Sequence, residues 1–389
     1  MTEASLKPGW TKVKFGEVVR LCKDRSSDPE TDGIERYVGL EHLEPEDLRI
    51  RRWGLVAEGT TFTSRFKPGQ VLFGKRRAYQ RKIAVADFEG VCSGDIYVLE
   101  SSDSKYLLPE LLPFICQTDQ FFEYAVGTSA GSLSPRTNWK QLQNFKLFLP
   151  ALDEQYQILQ FLQGIEKSIH SHEDTERCSK CLTSSILKNV LLPSKPDWKK
   201  YTLESILSRV IDYRGKTPPK MPSGIPLITA KNVRDGFISK DPQEFIPTEA
   251  YDSWMTRGLP ESGDVLFTME APLGNVAFIP NYKFALAQRL VVLRAHKEII
   301  YPQFLYWLMR SPRIKREVFK RATGTTAQGI KQSTLRKIPV FVPSLERQEE
   351  IFSALDQQLL AQKNIERRLE SVRQFKLIAL RKCFGGFYV

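Results

Sequence analysis

Leu149-Pro150-Ala151-Leu152-Asp153-Glu154-Gln155 returns as Val342-Pro343-Ser344-Leu345-Glu346-Arg347-Gln348, roughly 190 residues further on, and each copy opens a long helical pattern. After the first copy, apolar residues recur in steps of four and three at Ile158, Leu162, Ile165 and Ile169. The phase runs on through polar His172, Glu176, Ser179 and Thr183 and regains Ile186 and Val190. After the second copy the same phase gives Ile351, Leu355, Gln358, Gln362, Ile365, Leu369, Val372, Lys376, Ala379 and Cys383. Gly164 is the one helix-weakening residue between Ala151 and Leu192, and neither Gly nor Pro occurs between Ser344 and Phe384. Such spacing is that of a coiled-coil seam. The first seam is polar where the second carries Ile365, Leu369 and Val372, so each helix alone is a weak self-associating partner. The two read best as partners of each other. Two independent surface helices, each packed on its own domain, are the alternative that the polar positions leave open.

The repeat covers far more than the helices. Trp10-Thr11-Lys12 is echoed by Trp198-Lys199-Lys200, each two residues after a proline, Pro8 and Pro196. Each opens an amphipathic stretch, Phe15-Gly16-Glu17-Val18-Val19 and Leu203-Glu204-Ser205-Ile206-Leu207. Pro68-Gly69-Gln70-Val71-Leu72-Phe73 matches Ser262-Gly263-Asp264-Val265-Leu266-Phe267, and Gly127-Thr128-Ser129-Ala130 matches Gly324-Thr325-Thr326-Ala327. Four ordered matches at a nearly constant offset mark a duplicated unit, with loop insertions accounting for the drift. Between the repeats, short strand patterns such as Ile96-Tyr97-Val98-Leu99 and Leu290-Val291-Val292-Leu293 alternate with turns such as Lys67-Pro68-Gly69 and Glu261-Ser262-Gly263. Helical patterns interleave over Glu110 to Tyr124 and Pro302 to Arg316. The expected fold class is therefore α/β (α+β): two similar mixed domains, 1–150 and 193–343, with long helices over 151–192 and 344–389. A chain of 389 residues is too long for one ordinary domain and suits this division.

A formal net charge of +12 calls for a polyanionic partner, with a merely basic surface as the bland alternative. The first residues hold no apolar signal core, and no stretch approaches a membrane span. Cys22, Cys92, Cys116, Cys178, Cys181 and Cys383 are scattered, which suits reduced thiols in a cytoplasm.

Two globular stretches, each running through Gly-Thr, a polar loop and a Pro-ended strand into a long Gln-bearing helix, resemble the specificity subunits of Type I restriction–modification systems. Tyr37-Val38-Gly39-Leu40-Glu41-His42-Leu43-Glu44-Pro45 is similar to the opening of one kind of target-recognition domain, and Gly224-Ile225-Pro226-Leu227-Ile228-Thr229-Ala230-Lys231-Asn232-Val233 to that of another. The resemblance spans essentially the whole chain, twice over. It implies two target-recognition domains, each reading one half of a bipartite DNA target. It implies two long antiparallel coiled-coil helices that act as spacer and as docking site for two modification (methyltransferase) subunits, with restriction (translocating) subunits joining. S-adenosylmethionine, ATP and Mg²⁺ then belong to those partners, and this chain needs no cofactor. A helix of about 38 residues spans roughly 57 Å, or about 17 base pairs, so the half-sites would lie a turn or more apart.

The richest basic run is Lys75-Arg76-Arg77-Ala78-Tyr79-Gln80-Arg81-Lys82, which follows the Val71–Phe73 strand. Arg forks onto guanine and Gln onto adenine, whereas Lys mainly neutralises phosphate. The corresponding loop of the second half, Thr268 to Asn275, is not basic. There the candidates are Arg214 and Lys216; Lys231, Asn232 and Arg234; and Gln288 and Arg289. Each half also has a polar loop before its last strand, with Ser134 and Arg136 in the first and Gln328 and Lys331 in the second. A solvated surface charge is the plain alternative for each of them.

Catalytic signatures are missing. There is no phosphate-binding Gly-x-x-x-x-Gly-Lys-Ser/Thr and no His-Glu-x-x-His; Pro218-Pro219 sits between Thr217 and Lys220 rather than in an Asn/Asp-Pro-Pro-aromatic motif. The four histidines (His42, His170, His172, His296) form no ligand set, and Cys178-Ser179-Lys180-Cys181 is a lone pair on a helix, short of a four-ligand zinc site. The expectation is a non-catalytic DNA-recognition protein with no metal. The competing readings are a self-contained nuclease with a cryptic carboxylate site and a coiled-coil adaptor that does not touch DNA.

Overall fold

The computed structural model describes residues 9–190, 198–213, 218–325 and 327–384. The chain divides into two compact units: Met1–Glu173 with Arg367–Val389, and Asp174–Glu366. The long helices, Leu152–Val190 and Leu345–Phe384, form two rods. Each unit holds the first part of one rod and the last part of the other.

In the first unit, four antiparallel strands lie in the order Val19–Leu21, Ile96–Ser101, Val71–Gly74, Ile83–Val85. The Val71–Gly74 strand is buried along its whole length, which explains a continuous apolar run where a half-exposed strand would alternate. Val71, Phe73, Ile83 and Leu99 pack on the helices Leu112–Cys116 and Asp119–Gly127 and on rod residues Leu162, Ile165 and Ile169. Leu72, Ala84 and Val98 face the other way, onto a second sheet through Val38, Phe66 and Cys92. That second sheet runs Gly54–Leu55, Arg36–Val38, Gly90–Cys92, Ser64–Phe66, with Tyr37 and Val91 in parallel register.

The second unit repeats this plan. Leu207–Asp212, Leu290–Ala295, Val265–Thr268 and Val276–Phe278 form the four-stranded sheet. Val265, Phe267, Val291 and Leu293 face the helices Pro302–Arg310 and Pro312–Lys320 and the rod residues Ile351 and Leu355. Leu266, Ala277 and Val292 face a smaller sheet in which Ile225–Ile228 pairs parallel with Ala285–Leu286. A two-stranded ribbon closes each unit, Thr11↔Leu149 in one and Lys199↔Val342 in the other.

The repeated segments prove to be fold joints. Gln155 is buried and wired to three backbone groups: it accepts from Leu108 N–H (3.0 Å) and donates to the carbonyls of Tyr106 (2.7 Å) and Pro150 (3.0 Å). Gln348 does the same, accepting from Tyr301 N–H (2.9 Å) and donating to Ile299 (2.9 Å) and Pro343 (3.0 Å). The turn before the central strand is also shared. Gly69 and Gly263 take φ of 87° and 91°, and Lys67 and Glu261 donate their N–H to the side chains of Gln70 and Asp264, both at 2.8 Å. Positive φ is what a glycine permits there.

The seam phase read from the sequence places every described seam position in buried or half-buried surroundings. Two of its polar members are engaged across the rods, one by another seam residue and one by a carboxylate off the seam. In the second unit Gln358 donates to Ser179 Oγ at 3.0 Å, and in the first Lys376 is paired with Glu166. The shorter helical patterns differ from expectation in being broken. Glu110 to Tyr124 splits at Thr118, whose hydroxyl accepts from Phe121 N–H. Pro302 to Arg316 splits at Ser311, which caps the next helix through Ile314 N–H while Pro312 prevents the first from continuing.

Candidate nucleic-acid interface

In the first unit the basic run leaves the buried Val71–Gly74 strand and meets two other segments. One is the residue before the neighbouring strand, Asp95; the other is the hairpin in which Ser129–Ala130 pairs with Arg136–Thr137. Arg76 and Arg136 face each other across an isolated antiparallel bridge. Both hold Asp95: Arg136 through Nε (2.6 Å) and Nη2 (3.3 Å), Arg76 through Nη1 (3.4 Å). The hydrogen bond from Arg136 keeps the Asp95 carboxyl below the usual carboxylate range despite partial burial. Arg76 and Arg77 each donate to Ser134 Oγ at 3.2 Å, and Arg77 adopts a left-handed backbone with its N–H on Pro135 O. The basic run and the polar loop, separate in sequence, thus form one cluster. Tyr79 stands out from it at 56% exposure, and Leu133 at the hairpin tip at 90%.

Two members of the run serve the fold instead. Arg81 binds Asp119 (2.9 Å), Glu46 (3.1 Å) and Gln117 O (3.0 Å) and lies 4.6 Å from the Phe122 ring. Lys82 donates to Leu40 O at 2.7 Å. Lys75 is half-buried over the Tyr97 ring at 4.6 Å, and burial lowers its pKa. Gln80 is half-buried within the short turn Ala78–Gln80.

In the second unit Gln288, Arg289 and Lys331 come together around a cavity of about 510 Å³, lined also by Glu270, Asp212, Thr323 and Gly329. Arg289 sits at φ 70°, 3.6 Å from Glu270, and Gln328 is exposed nearby in sequence. Lys231 and Arg234 are exposed and do not line that cavity; Arg234 pairs with Phe237 in a small hairpin that Lys231 precedes. Asn232 is a correction to the sequence reading. It is 4% exposed and its amide is fully used, accepting from Thr229 N–H and Oγ1 and donating to Ser239 O and Pro242 O. A side chain clamped in this way holds a loop and has no donor or acceptor left for a base. Arg214 and Lys216 lie outside the described residues.

Sequence reasoning missed Asp95 and Glu270, because an acidic residue is not sought in a polyanion-binding surface. The signal was available in the strand register. Gly74 pairs with Ile96 and Thr268 with Leu290, so Asp95 and Arg289 occupy equivalent places, as do Arg76 and Glu270. The isolated bridges Arg76↔Arg136 and Glu270↔Gly329 coincide as well. The two units therefore present the same backbone arrangement with inverted charge. Among the described residues no group of three or more His, Cys, Asp or Glu could hold a metal ion, and no helix is long and apolar enough to cross a membrane.

Comparison with known proteins follows the same duplication. The profile of the family described as Type I restriction modification DNA specificity domain matches twice, over residues 8–177 and 195–373. The Type I restriction enzyme EcoDI specificity subunit of Escherichia coli is 26% identical over 184 residues, covering 43% of this chain and only 38% of that relative's length. The MjaVIII specificity subunit of Methanocaldococcus jannaschii is 21% identical over 399 residues, 94% of this chain and 88% of the relative. Among solved structures, a chain from a study of assembly and conformational transition of the type I R-M system superposes with a TM-score of 0.62 at 20% identity, covering 97% of this chain and 98% of that one. The S subunit of a Type-I restriction-modification system from M. genitalium gives 0.59 at 14% identity, with 98% of each chain covered. At these identities the structures speak for the fold.

Proposed function

Since the chain belongs to the Type I restriction modification DNA specificity domain family, we propose that it is a DNA-binding specificity subunit whose two unlike units each read one half of a split target. The observation that carries this is the inverted charge on a shared frame: Arg76, Arg136 and Asp95 in one unit, Glu270, Gly329 and Arg289 in the other. A duplicated reader with identical contacts would favour two equal half-sites. One with opposite donors and acceptors favours two different ones.

In this reading the rods, 39 and 40 residues long, act as spacers and offer the docking surface for two modification subunits, with restriction subunits added. S-adenosylmethionine, ATP and Mg²⁺ are used by those partners in the cytoplasm, and this chain contributes recognition without chemistry. The net charge of +12 supplies phosphate attraction. Arg76, Arg77, Tyr79, Ser134 and Arg136 are the proposed contacts of the first unit, and Gln288, Arg289, Gln328, Lys331, Lys231 and Arg234 those of the second.

The test is selection of bound duplexes from a randomised library by the full chain, alone and with its modification subunits. Enrichment of a motif with two unlike parts and a fixed gap is expected, with affinity falling steeply as salt rises. Cleavage of DNA by the chain alone with Mg²⁺ would support the nuclease reading instead. Affinity indifferent to salt would support the adaptor reading.

A further inference from the structure

A carboxylate beside a polyanion is repelled, so an accessible one among proposed DNA contacts weakens non-specific binding unless it has a use. The two units treat their acidic residue differently. Asp95 is saturated: two guanidinia hold it, one of them bidentately, and its side chain is 19% exposed. What this cluster can offer outward is N–H donors and the Ser134 hydroxyl. Glu270 is twice as exposed at 38%, and among the described residues its one ion-pair partner is Arg289 at a loose 3.6 Å. It opens onto the cavity shared with Gln288, Arg289 and Lys331. A Cβ on Gly329, across the bridge, would come within 3.2 Å of Glu270 Cγ, so the glycine leaves the carboxylate its room.

Resting on the proposed function, we infer that Glu270 determines specificity in the second unit by accepting a hydrogen bond from an exocyclic base amino group in the major groove, cytosine N4 or adenine N6. A carboxylate accepts such bonds and repels the acceptor-rich edge of guanine. Arg289 and Lys331 offset its charge against the flanking phosphates. The first unit, with arginines at the matching places, reads acceptors such as guanine N7 and O6.

The experiment compares the full chain with its modification subunits, wild type and Glu270→Gln, in the same library selection, with a duplex of unrelated sequence as the measure of non-specific affinity. Glu270→Gln is expected to relax one base pair of one half-site, with discrimination falling roughly tenfold. The other half-site should remain unchanged, and non-specific binding should stay equal or tighten. Gly329→Ala, which displaces the carboxylate without removing it, should relax the same base pair. Which amino base is lost from the motif separates cytosine from adenine. An unchanged motif in both variants, or relaxation of both half-sites together, overturns the inference while leaving the split target standing. A wild type that enriches no sequence removes the proposed function, and this inference with it.

Discussion

Gln155 and Gln348 look like ordinary polar residues near the start of a helix, yet each is buried and satisfies three backbone groups. Replacing either by Ala strands those groups, at a cost of about 2–3 kcal/mol in chemical denaturation of the full chain. Arg81 has a comparable structural burden through Asp119, Glu46 and Gln117. Arg81→Ala is expected to destabilise the first unit by about 2 kcal/mol. Arg76→Ala with Arg77→Ala should leave stability nearly intact, weaken binding and relax only the first half-site; loss at both half-sites in a selection assay would refute the assignment of one unit to one half. Acid should act on the same residues. The hydrogen bond from Arg136 lowers the Asp95 pKa, and for Asp119 and Glu173 burial opposes the charge but the neighbouring guanidinia of Arg381, Arg81, Arg373 and Arg51 outweigh it. Carboxyls depressed in the folded state stabilise it above their unfolded pKa of about 4, and that contribution disappears as pH falls through the folded values. Hydrogen exchange followed from about pH 6 to about pH 3 should show peptides around Asp95 and Asp119 losing protection as these carboxyls are protonated.

The rods show why a seam can be read from spacing while its partners cannot. Alternating steps of four and three define which residues face inward. They do not say that polar Gln358 meets Ser179 or that Lys376 meets a carboxylate, Glu166, lying outside the expected seam positions. Both Lys376 and Glu166 are largely buried, so removing one strands the other. Lys376→Ala should therefore cost about 3 kcal/mol, and Lys376→Leu combined with Glu166→Leu should recover most of it; a double-mutant cycle in denaturant measures the coupling. Glu173 extends this pattern, since Arg49 and Arg51 of the globular part and Arg373 of the second rod converge on it. The short helices were legible as helical and not as broken, because one hydroxyl cap, Thr118 or Ser311, outweighs a continuing apolar rhythm.

Duplication is the property of the whole chain that the amino-acid order reveals by itself. Recurring strings, the turn glycines Gly69 and Gly263 and the long seam are local patterns, and local patterns follow from backbone sterics and burial, which each segment carries with it. Two mixed units and two rods could be read on that basis, as could a basic run able to attract DNA. The candidate site was only half legible. Lys75 to Lys82 is a visible run, but which of its members are engaged within the fold depends on acids distant in sequence: Asp95 gathers Arg76 with Arg136, whereas Asp119 binds Arg81. Asn232 looks like a reader of adenine until its four partners are seen around it. The charge inversion between Arg76 and Glu270 emerges only once strand register aligns the halves. Sequence spelled out the repeated frame, because a frame is made of short-range preferences. Tertiary structure decided which charges are engaged, because a charge is paired or exposed according to neighbours that only folding brings within a few ångströms.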